Sequence, residues 1–105
     1  MTEYHDFMAA ASKLIEKDPD ANWLYRYIID GFTDHGFSTK MSETYAALII
    51  GQELFNPGIS DFKNYLSSVR AEFPQLSSEG HDAMLKATSK CVQDYYHGQE
   101  EAEVL

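Results

Sequence analysis

The sequence contains few groupings of residues that could perform metal or acid–base chemistry, although acidic residues are common in it. Asp94 and His97 are three residues apart, which places both side chains on one face of a helix. A carboxylate-bridged metal site on helices needs a second such pair, and the sequence contains none. We therefore interpret this pair as an exposed carboxylate and imidazole near a helix end, where the helix dipole favours a histidine.

The histidines are each isolated in their own helix or loop; they are His5, His35, His81 and His97. His81 lies in an apolar stripe and is interpreted as a core histidine with satisfied hydrogen bonds. A small enzyme or metal protein would need a convergent set, of which the best is His81, Cys91, Asp94 and His97. Sequence spacing gives that convergence no support.

The single cysteine, Cys91, shares the apolar face of the last predicted helix and is interpreted as a buried, inert thiol. A helix N-terminus lowers the pKa of a catalytic thiol, but Cys91 lies in the middle of its predicted helix and lacks that effect. One cysteine cannot form an internal disulfide, which fits a reducing compartment. The first residues lack the positive flank and apolar core of a signal peptide. We therefore expect a cytoplasmic protein.

Phosphate-binding and DNA-reading motifs are missing from the sequence. The glycines are scattered singly, so neither a Walker loop nor a dinucleotide-binding loop is present. Residues 23–55 resemble a helix-turn-helix in outline, but the reading helix would offer DNA Lys40 against Glu43 and Glu53. Phosphate contact would be repulsive on balance. We expect no enzymatic activity, no cofactor, no metal and no direct binding of nucleic acid.

Five apolar segments predict an all-α fold, a compact single-domain bundle of about five helices over residues 1–98. The candidate N-caps are Thr2, Asp20, Ser38 or Ser42, Ser60 and Ser77. The breaks are Asp18-Pro19, His35-Gly36, Asn56-Pro57-Gly58, Pro74 and Gly98. Residues 99–105 form an acidic tail that we expect to fray. No apolar run approaches the ~18 residues of a membrane-spanning helix, so no membrane interaction is expected.

The second and third helices carry more apolar surface than one stripe each. The surplus residues are Tyr25, Ile29, Phe32, Ile50 and Phe55. Two interpretations stay open at this stage: a partner or self-association surface, or a helix that runs through the middle of the bundle.

Negative charge is concentrated in two parts of the chain, whose formal net charge is −9. Residues 18–61 carry seven acids against Arg26 and Lys40, and residues 91–105 carry four acids and no base. Such a field repels nucleic acid and attracts basic surfaces. The acids either solubilise the protein or present a carboxylate array to a basic groove.

A short, strongly acidic, helical chain without a catalytic set is similar in composition to phage-encoded inhibitors of host defence, the anti-CRISPR and anti-restriction proteins. That resemblance implies a stoichiometric inhibitor that blocks a nuclease or surveillance complex by competing with nucleic acid. It is a resemblance of composition and identifies no shared motif.

The leading hypothesis is therefore a small acidic non-enzymatic protein that occupies a basic surface of a larger protein. The candidate partner-binding residues are Tyr25, Asp30, Asp34, Glu43 and Glu53, which combine anionic groups with aromatic area. The partner would be a protein with a basic surface, such as a nucleic-acid-binding complex. The alternative is a homodimeric helical adaptor or regulator with helices two and three as the self-interface.

Overall fold

The computed structural model describes the backbone of residues 3–104 and the side chains of residues 3–98. It confirms the all-α single-domain bundle: 86% of the chain is helical, and no strand occurs in the described residues. The five helices are α1 (Glu3–Lys17), α2 (Pro19–Asp34), α3 (Thr39–Phe55), α4 (Ile59–Glu72) and α5 (Ser78–Val104).

Short polar caps set where α2 and α3 begin. The Asp18 side chain accepts hydrogen bonds from the backbone N–H groups of Asp20 (3.0 Å) and Ala21 (3.4 Å), and Pro19 occupies the first helical position. Asp18 is therefore the N-cap of α2, where the sequence predicted Asp20. Ser38 caps α3 as expected, since its Oγ accepts from the N–H of Met41 at 3.1 Å.

Two left-handed residues end the helices that the sequence predicted to stop there. Gly36 has φ +91° after α2, and Asn56 has φ 49° as the C-cap of α3. The start of α4 differs from expectation, because Gly58 is its N-cap without a side-chain hydrogen bond and Ser60 already lies inside the helix. Ser77 precedes α5 and accepts from the N–H of Gly80 at 3.0 Å, in agreement with the predicted start.

The end of α5 also differs from the predicted stop at Gly98. The helix continues through Gly98 to Val104, because one glycine costs only about 1 kcal/mol inside a helix and does not by itself terminate it. The predicted fraying of residues 99–105 remains a prediction. Leu105, like the predicted cap Thr2, lies outside the described residues.

Helix α3 is the central helix of the bundle and packs against all four others. Its buried residues lie on every side of the helix: Met41, Ser42, Tyr45, Ala46, Ala47, Leu48, Ile49, Ile50 and Gly51. Its small residues permit a close crossing, since a Cβ on Gly51 would lie 2.8 Å from Cζ of Phe7 on α1. For α3, the structure therefore agrees with the second interpretation of the surplus apolar surface, a helix that runs through the middle of the bundle.

The surplus residues are largely absorbed by this packing. Ile50 is fully buried, while Tyr25, Ile29 and Phe32 are half-buried against the core. Phe55 remains exposed and contacts the ring of Phe7 edge-on. The exposed aromatic surface of α2 lies elsewhere, at Trp23 and Tyr27, on the side of the helix that faces α5.

Candidate functional site

Two cavities lie side by side between α2 and α5, and Tyr27 and Cys91 line both of them. The aromatic cavity, of about 640 Å³, is lined by Asp20, Trp23, Leu24, Tyr27, Cys91, Asp94, Tyr95 and Gly98. The apolar cavity, of about 570 Å³, has Ile28, Phe32, Phe37, Met84 and Ala87 among its lining residues, together with Asp30 and Asp34. We call the combined surface the α2–α5 groove.

Exposed aromatic rings dominate the aromatic cavity. Trp23 and Tyr27 are one turn apart on α2, and their rings stack with centroids 5.3 Å apart and planes 11° from parallel. Tyr95 of α5 approaches Trp23 to 5.6 Å at a tilt of 37°. Trp23 is 58% exposed and Tyr27 57% exposed, which is unusual for paired large aromatics on a folded protein. This surface is available for a partner.

Four carboxylates line the same groove: Asp20 and Asp94 in the aromatic cavity, and Asp30 and Asp34 in the apolar cavity. All four are exposed. In the described part of the chain, the one ion pair with a lysine or arginine joins Arg70 and Asp82, so neither cation type neutralises the groove acids in this way. The groove therefore combines apolar walls with carboxylates that no lysine or arginine of the described residues pairs with.

The structure separates the five candidate partner-binding residues into three groups. Asp30 and Asp34 lie together in the groove. Tyr25 lies five residues before Asp30, or about 140° around the helix axis, and faces a different side of α2. Burial raises the pKa of Tyr25, and the negative charge of Glu43 raises it further.

Glu53 belongs to a third group. Burial raises the pKa of Tyr96, and the charges of Tyr95, Asp18, Glu53 and Asp20 raise it further. Negative charge therefore covers several faces, and the groove acids are one part of it. Of the five candidates, the structure places Asp30 and Asp34 in the groove.

Sequence reasoning missed the aromatic half of this groove, although the pattern was present. Asp20, Trp23, Tyr27, Asp30 and Asp34 follow one another at spacings of three, four, three and four residues. That is the spacing of a single stripe along a helix. Periodicity alone does not separate Trp23 and Tyr27 from the other apolar residues of α2, because that helix is apolar on most sides. The opposite wall of the groove, which includes Asp94 and Tyr95, belongs to α5, and its position depends on how α5 packs against α2.

The buried histidine has its hydrogen bonds satisfied, as the sequence predicted. The hydroxyl of Tyr45 donates to Nδ1 of His81, and Nε2 of His81 donates to the carbonyl of Phe73 at 3.2 Å. Because a carbonyl only accepts, Nε2 carries the proton and Nδ1 is the acceptor. The ring links α3, α5 and the residue that ends α4. Its role is structural.

The residues proposed as an enzymatic or metal set do not converge. His81 and Cys91 are ten residues apart on the same helix, which corresponds to a rise of about 15 Å. Burial raises the pKa of the Cys91 thiol, Asp94 raises it further, and Lys90 partly opposes this effect. Within residues 3–98, no three His, Cys, Asp or Glu side chains are grouped to hold a metal ion.

No helix in the described part of the chain is both long and apolar enough to cross a membrane. Comparison with known proteins identifies no matching family model, no matching curated protein and no matching solved structure. What the groove binds is therefore inferred from the chemistry of its own residues.

Proposed function

We propose that this chain is a non-enzymatic binding protein that occupies a basic surface of a larger protein through the α2–α5 groove. The observation that carries the proposal is the stacked, exposed pair of Trp23 and Tyr27 beside four carboxylates that no lysine or arginine of the described chain pairs with. Apolar area and charge are thus presented on one surface.

The physical basis is the division of work at protein interfaces. Aromatic side chains supply most of the binding free energy where they become desolvated, and tryptophan and tyrosine are the residues most enriched at such points. Carboxylates around them accelerate encounter with a basic partner and reject acidic ones. The net charge of −9 extends this attraction over the whole molecule. Binding should therefore weaken as salt rises.

In its most specific form, the protein is a stoichiometric inhibitor that competes with nucleic acid for the basic surface of a nucleic-acid-binding complex in the cytoplasm. Its carboxylates would take the place of phosphates, which is how anti-CRISPR or anti-restriction inhibitors resembling this composition would act. The groove supports this form because Asp30 and Asp34 lie one turn apart on the same side of α2. They therefore present two neighbouring negative charges to one partner surface.

Affinity capture at two salt concentrations tests the proposal. Immobilised protein is incubated with lysate at low and at high salt, and bound proteins are identified after elution with double-stranded DNA or RNA. We expect a basic, nucleic-acid-binding partner that nucleic acid displaces and that high salt releases. Capture that nucleic acid does not displace would contradict the inhibitor. Capture of proteins without a basic surface, unchanged by salt, would contradict the binding mode as a whole.

A homodimeric adaptor or regulator is the second candidate, favoured by a different observation. Leu54, Phe55 and Ile59 are exposed around the α3–α4 connection, and Ile59 is 78% exposed. A self-interface would use this end of α3, because the apolar residues of α3 between Met41 and Ile50 are buried within the monomer. Sedimentation equilibrium tests it: a dimer that persists at high salt supports the adaptor, and a monomer at all concentrations contradicts it.

A further inference from the structure

We infer that the aromatic cavity is an arginine pocket, which receives one arginine side chain from the partner's basic surface. This inference rests on the proposed function and names the chemistry of its anchoring contact. It follows from what lines the cavity: three aromatic rings from two helices and the carboxylates of Asp20 and Asp94.

The ring geometry favours a flat cation. Trp23 and Tyr27 lie within 11° of parallel and stack on each other, and both side chains are more than half exposed, so a flat group can extend the stack on an outer ring face. A guanidinium is planar and weakly hydrated, so it stacks on such a surface while its edge stays free to hydrogen-bond. An ammonium group is compact and strongly hydrated, and it gains less from one flat face.

The charges favour a group with several donors. Asp20 lies in the first turn of α2 and Asp94 in the second half of α5, so the two carboxylates come from opposite walls of the cavity. A guanidinium has five N–H donors in a fixed fork and can address more than one carboxylate while it stacks. The methylene stem of the arginine would cover Leu24 and Cys91, which also line the cavity.

The sequence supplies a direct reporter, because Trp23 is the single tryptophan of the chain. Its fluorescence therefore reports the aromatic cavity alone. We would titrate the full chain with a hexa-arginine peptide and, in parallel, with a hexa-lysine peptide of equal charge. We expect a saturable change in Trp23 emission with hexa-arginine and about two- to fivefold weaker binding of hexa-lysine. Equal affinities would overturn the pocket, since they would mean that charge alone is recognised.

A matched pair of variants distinguishes binding in the aromatic cavity from attraction by the overall negative charge of the protein. Asp94→Asn removes a charge in the cavity, and Glu16→Gln removes a charge from the exposed face of α1. We expect Asp94→Asn to weaken hexa-arginine binding severalfold and Glu16→Gln to leave it nearly unchanged. Similar losses in both variants would contradict the inference.

Cys91 provides a second readout that does not depend on fluorescence. It lines both cavities, so hexa-arginine bound in the aromatic cavity should slow its modification by a thiol reagent without stopping it. An unchanged rate at saturating peptide would contradict occupancy of the cavity. If arginine selectivity is absent while lysate capture remains salt-sensitive and displaced by nucleic acid, the pocket falls and the proposed function stands. If arginine is selected but capture from the lysate fails, the arginine pocket is supported and the proposed function is contradicted.

Discussion

The indole of Trp23 stacks on the ring of Tyr27 one helical turn away, with centroids 5.3 Å apart, although more than half of each side chain is exposed. Next to Trp23 in sequence, Leu24 is 1% exposed and belongs to the core. Two adjacent residues of α2 thus have opposite environments, because they lie about 100° apart around the helix. Leu24 should therefore contribute to the stability of the fold, and Trp23 to binding of the partner.

Replacing these neighbours by alanine should give opposite phenotypes. Leu24→Ala removes a buried side chain and should cost about 2–5 kcal/mol in the free energy of unfolding. Trp23→Ala should cost less than about 1 kcal/mol, because the side chain is mostly exposed, but it should abolish capture of the partner. Urea denaturation and affinity capture measure the two effects. A Trp23→Ala protein that binds normally would show that the groove is not the interface.

The crossing of α1 over α3 should make Gly51 intolerant of a side chain. In Gly51→Ala the new Cβ would lie 2.8 Å from Phe7 Cζ and 3.1 Å from Ala11 Cβ. The Phe7 ring is stacked on Tyr65 at 4.5 Å, so it cannot move freely. The cost of overpacking exceeds the gain in helix propensity, and we expect a net destabilisation of about 1–2 kcal/mol.

Gly31→Ala is the matched control for this crossing. Gly31 lies in α2, where an added Cβ would meet nothing beyond its own helical turn within 4 Å. Alanine there should therefore stabilise the protein by about 0.5–1 kcal/mol. Thermal or urea unfolding measures both variants. Equal effects at the two glycines would show that α1 does not approach α3 closely.

The buried tyrosine on α3 should make stability fall at alkaline pH. Burial raises the pKa of Tyr45 from 10.0 to about 12, partly opposed by Arg70 and reinforced by Asp82. The folded state therefore favours the neutral phenol. Its contribution to stability is complete below pH 10 and is lost as pH rises from about 10 through 12.

Urea unfolding between pH 9 and pH 12 checks this prediction for Tyr45. Tyr45→Phe is the control: it loses the hydrogen bond to His81 at every pH, but its free energy of unfolding should fall less steeply across that window. Parallel slopes in the two proteins would contradict the assignment of the effect to Tyr45.

Cys91 should react slowly at neutral pH. Because burial and Asp94 raise the pKa of its thiol, the thiolate fraction at pH 7.5 is smaller than in an unfolded chain. We expect slower alkylation in the native protein than in urea, with the native rate still rising above the pKa of a free cysteine. A native rate equal to the unfolded rate would contradict this environment.

Local sequence signals predicted the helical fold and most of its breaks. The periodicity of the five segments, Ser38 as a cap and Gly36 as a left-handed residue depend on neighbours within one turn, and the structure agrees with each. The position of the α2 cap was off by two residues, because aspartate suits the N-cap at either Asp18 or Asp20 and Pro19 decides between them.

The candidate site was predictable only in part, because burial depends on which helices meet. The sequence indicated that α2 and α3 had excess apolar surface, but not that α3 would have buried residues on every side. It also indicated an excess of acidic residues, but not which side of the bundle each of them faces. Asp30 and Asp34 line the groove because α5 lies beside that face of α2, while Glu43 lines neither cavity and its charge raises the pKa of Tyr25. Such relationships are set by tertiary packing.

The most direct test of the groove as a binding surface is a comparison of two double charge reversals in the same capture experiment. Asp30→Lys with Asp34→Lys changes the groove, and Glu16→Lys with Glu43→Lys makes the same change in net charge at exposed positions outside the cavities. We expect the groove variant to lose the partner and the other variant to retain it, with both still folded. Equal loss in both, or unimpaired capture by the groove variant, would contradict the account.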